Sequence, residues 1–175
     1  MNDLPSVDPA TLGEVTRCYS LRYRRHSKHP PARLWRAITD PDEIERWMGY
    51  PARVDLRVGG DYFVDFQTSS PDNLDGVIVA VEPERRLAYA WGLSVIQWTL
   101  TPDDGGSGTA YTFVDHGTQI RHVPDEEGVA VGWHAWLDRL DAMLDGAEPL
   151  SLPPRTRDAL SAAYHARIED AIGPL

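Results

Sequence analysis

The sequence lacks most of the features from which disulfides, membrane spans and export signals are built. Cys18 is its only cysteine, so no disulfide can form within the chain. No apolar run approaches the roughly 20 residues that a transmembrane helix needs. The first residues, MNDLPSVDPATLGE, do not show the charged and then apolar layout of a secretory signal. These absences favour a cytoplasmic protein that does not bind membranes.

Basic residues are also scarce. The chain has 17 Lys and Arg against 27 Asp and Glu, which gives a formal net charge of −10. Binding to nucleic acid through its phosphates requires clustered positive charge, and docking to anionic lipid does too. The basic run at residues 22–28 alternates in the manner of a strand with one solvated face. The charge balance therefore argues against DNA, RNA and membrane surfaces as partners.

The histidines do not form a recognisable metal site. His26 and His29 are three positions apart beside prolines, the others are scattered, and no cysteine joins them. The chain contains no G-x-S-x-G nucleophile motif. The glycines within residues 105–108 join two predicted strands and do not open a helix, which favours a hairpin turn over a phosphate-binding loop. The sequence indicates neither a metal nor a cofactor.

The strongest pattern that is present is a long amphipathic helix at about residues 125–145, ended by Gly146. Carboxylates at residues 125–127 lie where a helix N-terminus favours them. Seven apolar side chains, three or four positions apart, share one face of this helix. They are Val129, Trp133, Trp136, Leu137, Leu140, Met143 and Leu144. A helix of about 30 Å with such a face requires a broad apolar partner surface.

The preceding chain has the pattern of a sheet interrupted by two short helices. A first strand ends near His29, and Pro31 and Pro41 begin the helices. Further strands are predicted at residues 52–58, 61–66, 76–81, 87–91, 94–100 and 109–115. The Gly59-Gly60 pair predicts a tight hairpin, and the apolar run 76–81 predicts a strand buried on both faces. We predict an α+β fold, with a curved antiparallel sheet of about six to seven strands on the long helix.

The composition divides the chain into three segments. We expect residues 1–14 to be a flexible arm, residues 15–146 to form the domain, and residues 147–175 to form a linker and a further helix. The apolar stripe of that last helix is thin. It suits packing on the sheet edge, on the outside of the domain or on a second subunit, so the protein is expected to be a monomer or a homodimer.

Several segments together resemble the START-like (SRPBCC) superfamily, and within it the family named after the activator of the heat-shock protein 90 ATPase. They are residues 30–41 (PPARLWRAITDP), 45–48 (ERWM), 59–63 (GGDYF), 76–78 (GVI), 116–117 (HG) and 132–140 (GWHAWLDRL). The family pattern has one residue between the His and the Gly, which are adjacent here. The likeness covers roughly residues 15–146. It implies the helix-grip fold, in which a curved sheet wraps around the long helix.

The resemblance implies that this domain binds a small apolar or amphipathic molecule between the long helix and the sheet. Some eukaryotic relatives are co-chaperones, so a protein-interaction module with a protein partner is the second hypothesis. The third is a cyclase or hydrolase of the kind found on the same fold. It needs two titratable groups that face each other in the cavity, and Asp65 and His116 are the only candidates. We favour binding over catalysis.

Aromatic residues from nearly every element are candidates for the wall of that cavity. The candidates are Trp35, Trp47, Tyr62, Trp91, Trp98, Tyr111 and Trp133. Gln97 and His116 are candidate polar contacts, because a few polar groups usually fix a ligand's orientation in an apolar site. Asp115, the neighbour of His116, could also reach the cavity mouth. Alternation allows Gln97 to face outward instead, and core packing is the alternative for the aromatic residues.

Overall fold

The computed structural model describes residues 19–66, 75–92, 94–118 and 128–172. Those residues form seven strands and four helices. In chain order these are β1 (Tyr19–Ser27), α1 (Pro31–Thr39), α2 (Pro41–Met48), β2 (Ala52–Val54), β3 (Asp61–Val64), β4 (Asp75–Glu82), β5 (Arg86–Trp91), β6 (Ser94–Pro102), β7 (Thr109–Thr118), α3 (Val129–Leu144) and α4 (Pro154–Ile172). The expected arm at residues 1–14 and the carboxylates at 125–127 lie outside the described residues.

All seven strands belong to one curved antiparallel sheet in the order β1-β7-β6-β5-β4-β3-β2. Strands β2 to β7 are neighbours in chain order, as short connections require. β1 returns to pair along its whole length with β7, placing Tyr23 opposite Phe113. The long helix α3 packs on the inner face of the sheet, where the ring of Trp133 lies 4.3 Å from that of Phe113. The predicted α+β helix-grip architecture is confirmed.

The two short helices begin and end as the sequence predicts. Pro31 and Pro41 occupy first-turn positions, where the missing N–H costs nothing. The Asp40 side chain accepts hydrogen bonds from the backbone N–H groups of Asp42 and Glu43 and so caps α2. Gly49 ends α2 with a φ of 87°, a conformation that favours glycine.

Two of the predicted wall residues use their polar atoms to fix α1 to the rest of the core. Trp47 on α2 donates its indole N–H to the Ala37 carbonyl at 2.9 Å. Tyr62 on β3 donates its hydroxyl to the Ile38 carbonyl at 3.0 Å. Both carbonyls belong to the last turn of α1, where backbone acceptors lack helical partners. Trp47 and Tyr62 therefore join the helix pair to the sheet.

Two predicted details of the sheet are wrong. The pair Gly59-Gly60 does not form a two-residue hairpin, because Val54 already pairs with Tyr62 and a loop of residues 55–60 joins the strands. Strand β4 is not buried on both faces: Val77 is 44% exposed and Val79 is 49% exposed. A strand with one buried face is normally recognised by alternating apolar and polar residues. The valines on the solvated face of β4 remove that alternation from the sequence.

Helix α4 packs on the side of α3, next to β1. Ile168 is 7% exposed and packs against Ala130 of α3, with Leu21 and Tyr164 beside them. Tyr164 is hydrogen-bonded through its hydroxyl to Nδ1 of His134 at 2.8 Å. The sequence left three placements open for this helix. In the structure it packs on its own domain, on α3 and beside the edge strand β1.

His134 lies in the contact between α3 and α4, and its surroundings shift its pKa. Burial lowers the pKa of His134 from its ordinary value of 6.5; Asp138 opposes this shift and Arg25 reinforces it. The folded protein therefore favours the neutral ring. The Tyr164 hydroxyl is hydrogen-bonded to Nδ1 of this ring, and Oδ2 of Asp138 lies 3.6 Å from its Nε2.

We expect His134 to make the folded protein less stable as the pH falls below about 6.5. In that range the unfolded chain binds a proton at this position before the folded protein does, so acidification favours unfolding. Urea denaturation at about pH 7 and about pH 5 measures the change, and His134→Gln should make it smaller. His165→Gln removes a histidine on the exposed face of α4, where it meets Glu169 at 3.3 Å, and should not make the change smaller. Identical pH dependence with and without His134 would contradict this prediction.

Candidate functional site

A cavity of about 380 Å³ opens between the first turns of α3 and one end of the central strands of the sheet. At this end β5 stops at Trp91 and β6 begins at Ser94. We call it the α3 cavity. Its lining residues are Phe66, Trp91, Gly92, Ser94, Ile96, Asp115, Gly128, Val129, Gly132, Trp133 and Trp136.

Helical and strand periodicity bring these residues to one place. On α3, Gly128, Gly132 and Trp136 are four residues apart and so stand on one face. On β6, Ile96 points inward, in alternation with the exposed Val95. Ile96 pairs with Asp115 on β7, and this register sets both side chains on the inner face of the sheet.

The walls of the α3 cavity are mainly aromatic. Trp133 stands at the centre, with its ring 5.6 Å from that of Trp91 and 5.2 Å from that of Trp136. Phe66 closes the set at 5.5 Å from Trp91 and 5.9 Å from Trp136. Trp136 donates its indole N–H to the Met48 carbonyl at 3.1 Å, which ties this wall to the end of α2. The rings are therefore supported by neighbouring elements.

Among the described residues that line the α3 cavity, Asp115 is the one that can ionise. It is 3% exposed, and its Oδ2 accepts a hydrogen bond from the Trp133 indole N–H at 2.9 Å. Its Oδ1 is buried and has no hydrogen-bond partner among the described residues. A buried carboxyl group with a free acceptor is uncommon, because desolvating such an atom is costly.

Gly132 leaves the entrance open. It lies on α3 between Gly128 and Trp136, and a Cβ atom placed there would have no heavy atom within 4 Å. The absence of a side chain is therefore not required by packing. It widens the space beside Trp136, where a larger residue would fill part of the α3 cavity.

The structure places two of the seven candidate aromatic residues, Trp91 and Trp133, at the α3 cavity. The other five are buried in the core and do not line it: Trp35, Trp47, Tyr62, Trp98 and Tyr111. Tyr111 donates its hydroxyl to Oδ1 of Asp141 at 2.7 Å, and burial raises its pKa. These five residues pack the fold on which the cavity is built.

Gln97 and His116 do not face the α3 cavity. Gln97 lies between the buried Ile96 and Trp98 and hydrogen-bonds Thr99 on the outer face of the sheet. His116 follows the inward Asp115 and meets the Ser20 hydroxyl at 3.1 Å, at an exposed position. Strand alternation turns both side chains away from the helix, and Asp115 occupies the polar position instead.

The candidate catalytic pair is not assembled. Asp65 directly follows β3 and His116 is on β7, with β4, β5 and β6 between those strands. Four steps of about 4.8 Å separate such positions by roughly 19 Å along the sheet. His116 also faces outward. The two groups cannot act on one bound molecule in the α3 cavity.

Sequence reasoning did not select Phe66 or Trp136 for the cavity wall, and it named Asp115 only as a residue that could reach the cavity mouth. The signal that could have found the site is on the helix: Gly128 and Gly132 interrupt the apolar face of α3, one turn apart, just before Trp136. Small residues beside large aromatic ones leave a gap that packing does not fill. The pattern marks this end of α3 as the open end.

A second groove, of about 440 Å³, lies on the other side of Trp136 and shares Gly132 with the α3 cavity. Tyr50, Arg139 and Arg157 are among its lining residues. Its basic character contrasts with the acidic α3 cavity.

No helix in the described parts of the chain is long and apolar enough to cross a bilayer. In those parts, no three His, Cys, Asp or Glu side chains are placed to hold a metal ion together.

The family described as Activator of Hsp90 ATPase homolog 1-like protein matches residues 28–145, which run from the end of β1 to the end of α3. No curated protein matches the chain. Helix α4 lies beyond the matched residues.

Solved structures share this fold. CalU16 from Micromonospora echinospora is 28% identical, with 84% of this chain and 86% of that chain covered and a TM-score of 0.67. Protein MLL2253 from Mesorhizobium loti is 29% identical over 73% of this chain and 98% of that chain, with a TM-score of 0.61. EF2215 from Enterococcus faecalis, at 19% identity and a TM-score of 0.67, covers 87% of this chain and 86% of its own and is similar in fold alone.

Proposed function

The chain belongs to the family of Activator of Hsp90 ATPase homolog 1-like proteins, and from this premise we propose that it binds a small apolar or amphipathic molecule in the α3 cavity. The resemblance to the START-like superfamily that its sequence motifs predict is confirmed. This fold is in general a ligand-binding fold. Beyond this general role, we propose the class of ligand and its position in the α3 cavity.

The observation that carries the proposal is an aromatic cavity with room for a small molecule. Sites for small molecules are typically clefts of about 300–1,000 Å³ lined mainly by apolar and aromatic side chains. A space of about 380 Å³ beside four aromatic side chains is therefore available for a ligand of modest size. Burial of a ring system against such walls contributes about 25 cal/mol for each Å² of apolar surface removed from water.

Binding fits the α3 cavity better than catalysis does. General acid and base chemistry on one substrate usually uses two groups whose environments separate their pKa values. Among the described residues that line the cavity, Asp115 alone can ionise. The proposal therefore assigns recognition to this site and no chemical step.

A variant that fills the cavity tests the proposal. We expect Gly132→Leu to lower the affinity for N-phenylnaphthylamine, a neutral dye whose emission rises in apolar sites, by about tenfold or more, because the new side chain takes up the space of the ligand. Position 132 has open space around it, so the fold should be kept. Fluorescence titration measures the affinity, and circular dichroism checks the fold.

Gly132→Ala is the matched control and should change the affinity by no more than about twofold, since a single methyl group occupies little of the space. Native mass spectrometry of protein purified from cells should also detect a bound small molecule. Failure of the unmodified protein to bind the dye, or undiminished binding by Gly132→Leu, would overturn the proposal.

A further inference from the structure

We propose that the ligand of the α3 cavity carries a positively charged nitrogen with an N–H group, which donates a hydrogen bond to Oδ1 of Asp115. This inference rests on the proposed binding function and adds the chemical class of the ligand. The fold buries the carboxyl group of Asp115 and gives a hydrogen-bond donor to only one of its two oxygens among the described residues.

The hydrogen bonding of Asp115 is incomplete in a specific way. The two oxygens of a carboxylate can accept about four hydrogen bonds, and from the described residues the Asp115 side chain accepts one, donated by the Trp133 indole at 2.9 Å. The remaining oxygen is buried without a partner among the described residues, in a side chain that is 3% exposed. A ligand with a strong donor would supply what the protein does not.

Among the described residues, none that lines the α3 cavity offers Asp115 a positive charge. None of the described side chains that line the α3 cavity is Lys, Arg or His. Arg25 on β1 forms ion pairs with Asp138 and Asp141 of α3, at 2.7 and 2.8 Å, and not with Asp115. His116, the next residue along β7, faces the opposite side of the sheet, where it meets Ser20. A cation on the ligand would provide the missing countercharge.

The aromatic walls favour the same class of ligand. The faces of Trp, Tyr and Phe rings carry partial negative charge and attract cations within about 6 Å. Trp91, Trp133 and Trp136 line the space that Asp115 also lines, together with Phe66. Anionic groups are repelled both by these faces and by the carboxylate. An organic ammonium with an apolar body therefore matches the α3 cavity in shape and in charge.

A matched series of ligands tests the inference on the unmodified protein. Naphthylethylamine, naphthylethanol, ethylnaphthalene and naphthylacetate share one aromatic body and differ in the attached group. Displacement of N-phenylnaphthylamine at neutral pH gives the affinity of each. We expect naphthylethylamine to bind about tenfold or more tightly than ethylnaphthalene, because its hydrogen bond to Asp115 is charge-assisted. Naphthylacetate should bind most weakly.

Asp115→Asn identifies the partner of the amine. An Asn oxygen can still accept from the Trp133 indole, so this variant removes the charge and keeps the internal hydrogen bond. We expect it to lower the affinity for naphthylethylamine about tenfold and to leave that for ethylnaphthalene within about twofold. Asp61→Asn, on the outer face of β3, removes an equal charge far from the site and should change neither value.

The outcomes separate this inference from the proposed function. Binding of ethylnaphthalene with equal affinities for the amine, the alcohol and the carboxylate would overturn the inference and leave the proposed function standing. An amine that binds no tighter than the alcohol would overturn the assignment of a cation. If neither the dye nor any member of the series binds, both are wrong. If Asp115→Asn does not fold, the ligand series on the unmodified protein still decides.

Discussion

Trp98→Ala is expected to lower the free energy of unfolding by about 3–5 kcal/mol, because it removes one of the largest fully buried side chains and leaves a cavity. Trp98 is fully buried on β6. Its ring lies 4.8 Å from that of Phe113, 6.1 Å from that of Tyr111 and 6.3 Å from that of Trp47, so residues of β7 and α2 lose their contacts at once.

Thermal and urea denaturation measure this effect. For a chain of 175 residues, each kcal/mol corresponds to roughly 2–4 °C in Tm, so the expected loss is about 6–20 °C. Val95→Ala is the control on the same strand. Val95 is 38% exposed on the outer face, so its truncation should cost less than about 1 kcal/mol. Similar losses for the two variants would show that the core is not centred on Trp98.

Gly76→Ala is expected to destabilise the fold by about 1–3 kcal/mol or more, because the sheet leaves no room for a side chain at this position. A Cβ atom on Gly76 would lie 2.3 Å from the Tyr62 carbonyl oxygen and 3.1 Å from that of Ala90. Both obstacles are backbone atoms of the neighbouring strands β3 and β5. Relief therefore requires the strands to move, and a change of rotamer does not suffice.

The matched control is again Gly132→Ala. Position 132 is a helical glycine with open space around it, and alanine there should raise the free energy of unfolding by about 0.5–1 kcal/mol through its better helix propensity. Chemical denaturation of the two variants should thus give changes of opposite sign. A stabilising Gly76→Ala would mean that β3 and β4 are spaced more widely than the structure has them.

The fold was predictable from the sequence because its signals are local. Pro31 and Pro41 mark the starts of the short helices, Gly49 and Gly146 mark ends, and the spacing of apolar residues on α3 specifies its buried face. What failed also has a local cause. The outward valines of β4 imitate a strand buried on both faces, and turn length cannot be read from Gly59-Gly60 alone.

The site was less predictable because it depends on which residues leave space. Any inward aromatic residue has the same pattern in the sequence, whether it fills the core, as Trp98 does, or lines the α3 cavity, as Trp91 does. Which polar residue of β7 reaches the cavity depends on strand alternation, because neighbouring residues point to opposite faces. Asp115 points inward and the next residue, His116, points outward. Only the register of β7 against its neighbours decides between them.

The pairing of the first strand with the last has a consequence for how the chain is made. Tyr23 and Phe113 face each other across β1 and β7 but are 113 − 23 = 90 positions apart in sequence. At about 5–20 residues per second, a ribosome needs roughly 5–20 s to synthesise the chain between them. β1 is without its partner strand for that time, while hairpins such as β5–β6 can already close. Among the described strands, β1 is therefore the earliest to be synthesised and among the last to be paired, so any factor that shields it during synthesis acts before the α3 cavity exists.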